Sequence, residues 1–78
     1  MHRPPKHREN RQLRLTRREA QVAVLIAAGL TAKAVGIRLQ ISPDTVRTHT
    51  RSIFLKLRVR NRVEMAGRIF RMQDEGPE

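Results

Sequence analysis

The sequence contains no cysteine, no tryptophan and no tyrosine, and only two of its 78 residues are phenylalanine. Without cysteine there is neither a disulfide staple nor a thiolate metal site, a usage that fits a reducing compartment. With so few aromatic residues and no period-two alternation of apolar and polar positions, no stretch reads as a strand. No run approaches the roughly 18 consecutive apolar residues of a membrane span. The longest, Val22–Ala28, suits a buried helix instead. The N-terminus is basic but no apolar core region follows it, so it does not read as a secretory signal. The expectation is a soluble, cytoplasmic, all-α chain of one small domain, near the margin of independent stability.

Acidic residues are also scarce. Seventeen Lys and Arg stand against seven Asp and Glu, a net charge of +10. The excess is clustered: residues 1–18 carry a net +6 and residues 41–60 a net +4, whereas residues 61–78 carry −1. A merely solvated surface does not need such clustering, but a face that binds a polyanion does.

Four helices can be placed along the chain. Residues 1–14, with Pro4-Pro5 and nothing apolar after Met1 except Leu13 and the prolines, read as a flexible basic tail. Thr16 caps the first helix, with Glu19 at the capping-box spacing. Val22, Leu25 and Ile26 form its apolar stripe, and Gly29 suits the left-handed position past its end. Thr31 caps a short second helix, about Ala32 to Leu39, with Val35 and Leu39 toward the core; Gly36 in its middle either permits close packing against another helix or is drift with no packing role. Ser42-Pro43 then opens a third helix to about Leu57. Its apolar stripe is Val46, Thr50, Ile53 and Leu57, with Phe54 beside it. Its opposite stripe is Asp44, Arg47, Thr48 and Arg51, with Leu55 behind, and Thr45, His49 and Lys56 lie on one flank. Asn61 caps a fourth helix to about Gln73, again with Glu64 at the box spacing. That helix carries two apolar stripes: Met65, Ile69 and Met72 on one, and Val63, Ala66, Gly67 and Phe70 on the other. One stripe is enough to dock a terminal helix, so the second is a candidate partner surface. Residues 74–78 should fray. Two helices joined by a short turn, the second basic on its outer side, form the helix-turn-helix geometry that enters DNA grooves.

From Leu15 to about Phe70 the chain resembles the LuxR-type (GerE-like) DNA-binding domain of bacterial regulators. The matching segments are LTRRE (15–19), AAGLTAKAV (27–35), ISPDTVRTHTRSIFLKL (41–57) and VRNRVEMA (59–66). Thr45-Val46 followed by His49, Lys56-Leu57 and Asn61-Arg62 are the specific part. The resemblance implies an all-α, four-helix helix-turn-helix domain over residues 15–73, preceded by the disordered basic tail. It implies a nucleoid-associated regulator of transcription that reads double-stranded DNA with the helix 43–57. It puts Arg47, Thr48 and Arg51 at base edges and Lys33, Thr45, His49 and Lys56 at the sugar-phosphate backbone. It also implies a homodimer through Val63, Ala66, Gly67 and Phe70 of the last helix, and so two half-sites. Gly36, Ile37 and Gln40 depart from the pattern, which usually has Ala, a polar residue, and Gly or another turn residue there; Ile37 is therefore a candidate contact for another protein. The receiver or ligand-sensing segment that usually accompanies such a domain is not in this sequence. The chain therefore reads as a stand-alone regulator or as a piece of a longer one, with the basic tail adding phosphate or minor-groove contacts.

Other classes fit less well. A reader of promoter −35 elements like the fourth region of a sigma factor would share the first three helices, but not the VRNR entry and the second stripe of the fourth. A protein-binding adaptor docking on RNA polymerase or another regulator through Ile37, Leu55 and the last helix would leave Arg47 and Arg51 unexplained. RNA binding lacks the aromatic residues that stack unpaired bases. His49 has neither a nucleophile nor an orienting partner in the sequence, and His2 and His7 sit in the tail. No enzyme activity, cofactor or metal is therefore expected.

Overall fold

A computed structural model describes residues 14–74. The expected basic tail, apart from Arg14, and the acidic end beyond Asp74 lie outside the described residues. Four helices follow one another: α1 (Arg17–Ala27), α2 (Ala32–Leu39), α3 (Pro43–Leu57) and α4 (Arg62–Asp74). Among the described residues there is no strand.

Each helix starts where its sequence supplies a cap. Thr16, in extended backbone, accepts from the Glu19 N–H at 3.0 Å, and Glu19 Oε1 accepts from the Thr16 N–H at 2.9 Å, so the expected capping box is complete. Thr31 and Ser42 accept from the N–H groups of Ala34 and Thr45, and Pro43 occupies the first turn of α3. Asn61 accepts from the Glu64 N–H at 2.9 Å. Here the box differs from expectation: Glu64 Oε1 accepts from the Arg60 N–H rather than from that of Asn61. Gly29 adopts φ +103°, as its place after α1 requires.

The connection between α2 and α3 is tight. Gln40 takes the left-handed conformation (φ 62°), and the N–H groups of Gln40 and Ile41 both donate to the Gly36 carbonyl. A Cβ on Gly36 would stand 2.5 Å from the Ile41 carbonyl oxygen. The close approach at Gly36 is thus to the backbone of the turn, not to a neighbouring helix. Gln40 holds a conformation that suits glycine, at a cost of about 1–2 kcal/mol.

The core is built from Val22, Ala23 and Ile26 of α1, Val35 of α2, Val46, Ile53 and Leu57 of α3, and Met65 and Ile69 of α4, all buried. α1 lies at the centre, packed against α4 and α3, while α2 packs chiefly on α3. Leu25 and Leu39, expected in the core, are half-buried at its margin. Met72, on the same stripe as Met65 and Ile69 by spacing, is 44% exposed while those two are buried.

Candidate nucleic-acid interface

The buried stripe of α3 turns its opposite side to solvent. Asp44, Arg47, Thr48, Arg51 and Leu55 are all exposed, in the order that 100° per residue requires. The Ser42 cap, which also donates through its hydroxyl to Thr45 Oγ1 at 2.9 Å, fixes the helix start. Arg47 Nη1 donates to Asp44 Oδ1 at 2.7 Å across the front. Both partners are largely exposed, so the pair contributes little stability and the guanidinium is free to exchange its partner. Thr48 donates its hydroxyl to the Asp44 carbonyl at 3.1 Å.

Of the expected flank residues, Thr45 is exposed beside the front and His49 is half-buried. Lys33 is exposed near the start of α2. Lys56 differs. Its ammonium donates to Glu19 Oε1 at 2.8 Å, and only a quarter of its side chain is exposed.

Glu19 is the residue that sequence reasoning missed. The sequence marks it only as a capping partner, yet it is buried and joins α1 and its cap to α3. Oε1 accepts from the Thr16 N–H and from Lys56, and Oε2 accepts from the Ser52 hydroxyl at 2.7 Å. Burial by itself would raise its pKa; the hydrogen bonds from Lys56, the Thr16 backbone and Ser52, with the charge of the ammonium, outweigh it and lower the value from 4.5 to about 2. The signal was present. Residues 19, 22, 23 and 26 are one helical face, so the carboxylate occupies a core position, and Ser52 and Lys56 stand one turn apart to meet it.

Beside Arg51 the surface forms an open groove of about 450 Å³ between α3, the start of α2 and the start of α4. Arg47, Arg51 and Arg62 line it, with Phe54, Leu55 and Ala32 among its apolar walls; no carboxylate among the described residues does. α4 also exposes Val63 (81%) and Phe70 (68%), with Gly67 exposed and Ala66 half-buried between them in the sequence.

The family model for bacterial regulatory proteins of the luxR family (GerE) matches residues 13–68. The chain belongs to the LuxR family. Among its relatives, the transcriptional regulatory protein UhpA of Escherichia coli is 45% identical over 60 residues, 77% of this chain and 31% of that protein. The nitrate/nitrite response regulator protein NarL of Escherichia coli is 40% identical over 52 residues, 67% of this chain and 24% of that protein. The transcriptional regulatory protein LiaR of Bacillus subtilis is 44% identical over 52 residues, 67% of this chain and 25% of that protein. The chain thus spans less than a third of the length of these relatives. No solved structure gives a significant match. The LuxR-family match takes in α1, α2, α3 and the first half of α4, and so the whole of the basic front and its supports. Among the described residues no helix is long and apolar enough to cross a membrane.

Proposed function

We propose that this LuxR-family domain binds double-stranded DNA and regulates transcription, with α3 as the helix that enters the major groove. One observation carries the reading. α3 keeps Val46, Ile53 and Leu57 buried while Arg47, Thr48 and Arg51 stand exposed on the other side. An α-helix fits the major groove, where arginine donates in bidentate fashion to guanine at about 1–3 kcal/mol of discrimination. Arg47, Thr48 and Arg51 read base edges in this assignment. Lys33, Thr45 and His49 contact phosphates and set the register without reading sequence. Lys56 acts chiefly by positioning α3 on Glu19. Exposure of Val63, Gly67 and Phe70 supports α4 as the surface of a homodimer, hence paired half-sites. Such a regulator works where DNA is, in the bacterial cytoplasm at the nucleoid.

The test is a titration of a labelled duplex pool and its separated strands over a range of salt. Duplex should be preferred, and affinity should fall steeply as salt rises, because released counterions dominate the binding free energy. Equal affinity for duplex and single strands would refute groove reading.

A further inference from the structure

Leu55 is 73% exposed and stands one turn beyond Arg51, in line with the polar front of α3. It is the one large apolar side chain on that stripe. It also lines the groove that Arg47, Arg51 and Arg62 share, with Phe54 behind it. We propose that Leu55 is a further specificity-determining residue, packing on the 5-methyl group of a thymine outside the bases read by Arg47 and Arg51, while Arg62 holds the neighbouring phosphate.

The inference rests on the proposed groove reading and extends it. The thymine methyl is the apolar feature that the major groove offers a side chain. Four residues of helix advance about 6 Å, close to two base steps of about 3.4 Å. The thymine therefore lies about two steps outward from the base read by Arg51. Three guanidinium groups line the groove; Arg47 shares an exposed pair with Asp44, and no carboxylate among the described residues lines the groove itself, which suits a phosphate-lined partner. Arg62, at the first turn of α4, lines that groove together with Leu55, where it can hold a phosphate of the same strand.

The experiment uses the full chain and a duplex selected from a random pool, with each thymine of the half-site replaced in turn by deoxyuridine. That replacement removes one methyl group and leaves every hydrogen bond in place. At one outer position the wild type should lose about three- to fivefold in affinity, the value of one buried methyl-sized group. Leu55→Ala should bind the thymine duplex as weakly as the wild type binds the uracil one, and should no longer distinguish the two. Arg62→Ala should weaken both duplexes equally. If no deoxyuridine replacement affects the wild type, or if the sensitive position stays sensitive in Leu55→Ala, the assignment of Leu55 is wrong. Should Arg51→Ala still relax sequence preference in that case, the groove reading stands and only Leu55 falls. Failure of the pool to yield a preferred duplex would overturn both. Leu55 is exposed, so Leu55→Ala should keep the wild-type circular dichroism spectrum.

Discussion

Replacing Glu19 by Gln keeps the volume of a buried side chain and one carbonyl oxygen for the Thr16 N–H, but removes the charge that Lys56 faces. The consequence can be sized from the titration of the carboxylate. Its pKa of about 2 in the folded domain, against 4.5 ordinarily, is a difference of roughly 2.5 units, worth about 3 kcal/mol at about 1.4 kcal/mol per unit. The Lys56 side chain keeps 25% of its exposure, so water recovers part of what the ammonium loses. An expected cost of about 2–3 kcal/mol follows. A domain of this size holds only about 3–9 kcal/mol in all, so Glu19→Gln should remain folded but near its margin. At a slope of about 1 kcal/mol/M, the urea midpoint read by circular dichroism should fall by about 2 M at pH 7.

The pH dependence separates this explanation from ordinary loss of packing. Because the folded-state pKa is depressed, the contribution of Glu19 is fully present above pH 4.5 and is lost as pH falls toward 2. Six other carboxylates titrate in both proteins and cancel in the comparison. The stability gap between wild type and Glu19→Gln should therefore stay constant from pH 7 to about 5 and close by about pH 2. A gap below about 0.5 kcal/mol at pH 7, or one of the same size at pH 7 and pH 2.5, would refute the reasoning.

Three further outcomes are expected. Gly36→Ala, usually favourable inside a helix, should instead destabilise by about 1–3 kcal/mol, because its Cβ would meet the Ile41 carbonyl oxygen at 2.5 Å; a raised melting temperature would contradict this. Arg51→Ala should flatten the preference among selected duplexes, whereas Lys33→Ala should weaken all duplexes alike and reduce the slope of affinity against salt by about one unit. Phe70→Ala should move the protein toward monomer in sedimentation and lower affinity for paired half-sites more than for single ones; a wild type that sediments as a monomer even on DNA would remove α4 as a dimer surface.

The helices were legible because their signals are local. Thr16, Thr31, Ser42-Pro43 and Asn61 mark four starts within reach of the N–H groups they satisfy, and the 3.6-residue period of α3 separates Val46 and Ile53 from Arg47 and Arg51 without reference to the rest of the chain. What escaped depends on partners far along the sequence. Glu19 finds Ser52 and Lys56 across more than thirty positions, and a periodicity reading assigns a carboxylate near a helix start to the cap that it also serves. Lys56 stands on the flank by its place on the wheel and by resemblance, and neither of these shows the buried carboxylate that it also bonds. Gly36 belongs to the same class, since its constraint is the path of the following turn.

Gly36 and Glu19 hold α3 at opposite ends. At its start, the Gly36 carbonyl receives the N–H groups of Gln40 and Ile41 and brings the chain into the Ser42 cap in one direction only. Toward its end, Ser52 and Lys56 are tied to Glu19, which is itself locked to the cap of α1. Between the grips, the side chains of Arg47, Thr48 and Arg51 bond among the described residues only through an exposed ion pair and one backbone carbonyl. The groups that aim the helix are therefore not the groups that face outward from it. Substitutions on the front should change stability by no more than about 0.5 kcal/mol. Changes at Glu19 or Gly36 should lower stability, and any loss of duplex binding, limited to the fraction unfolded, should be the same whatever the duplex sequence.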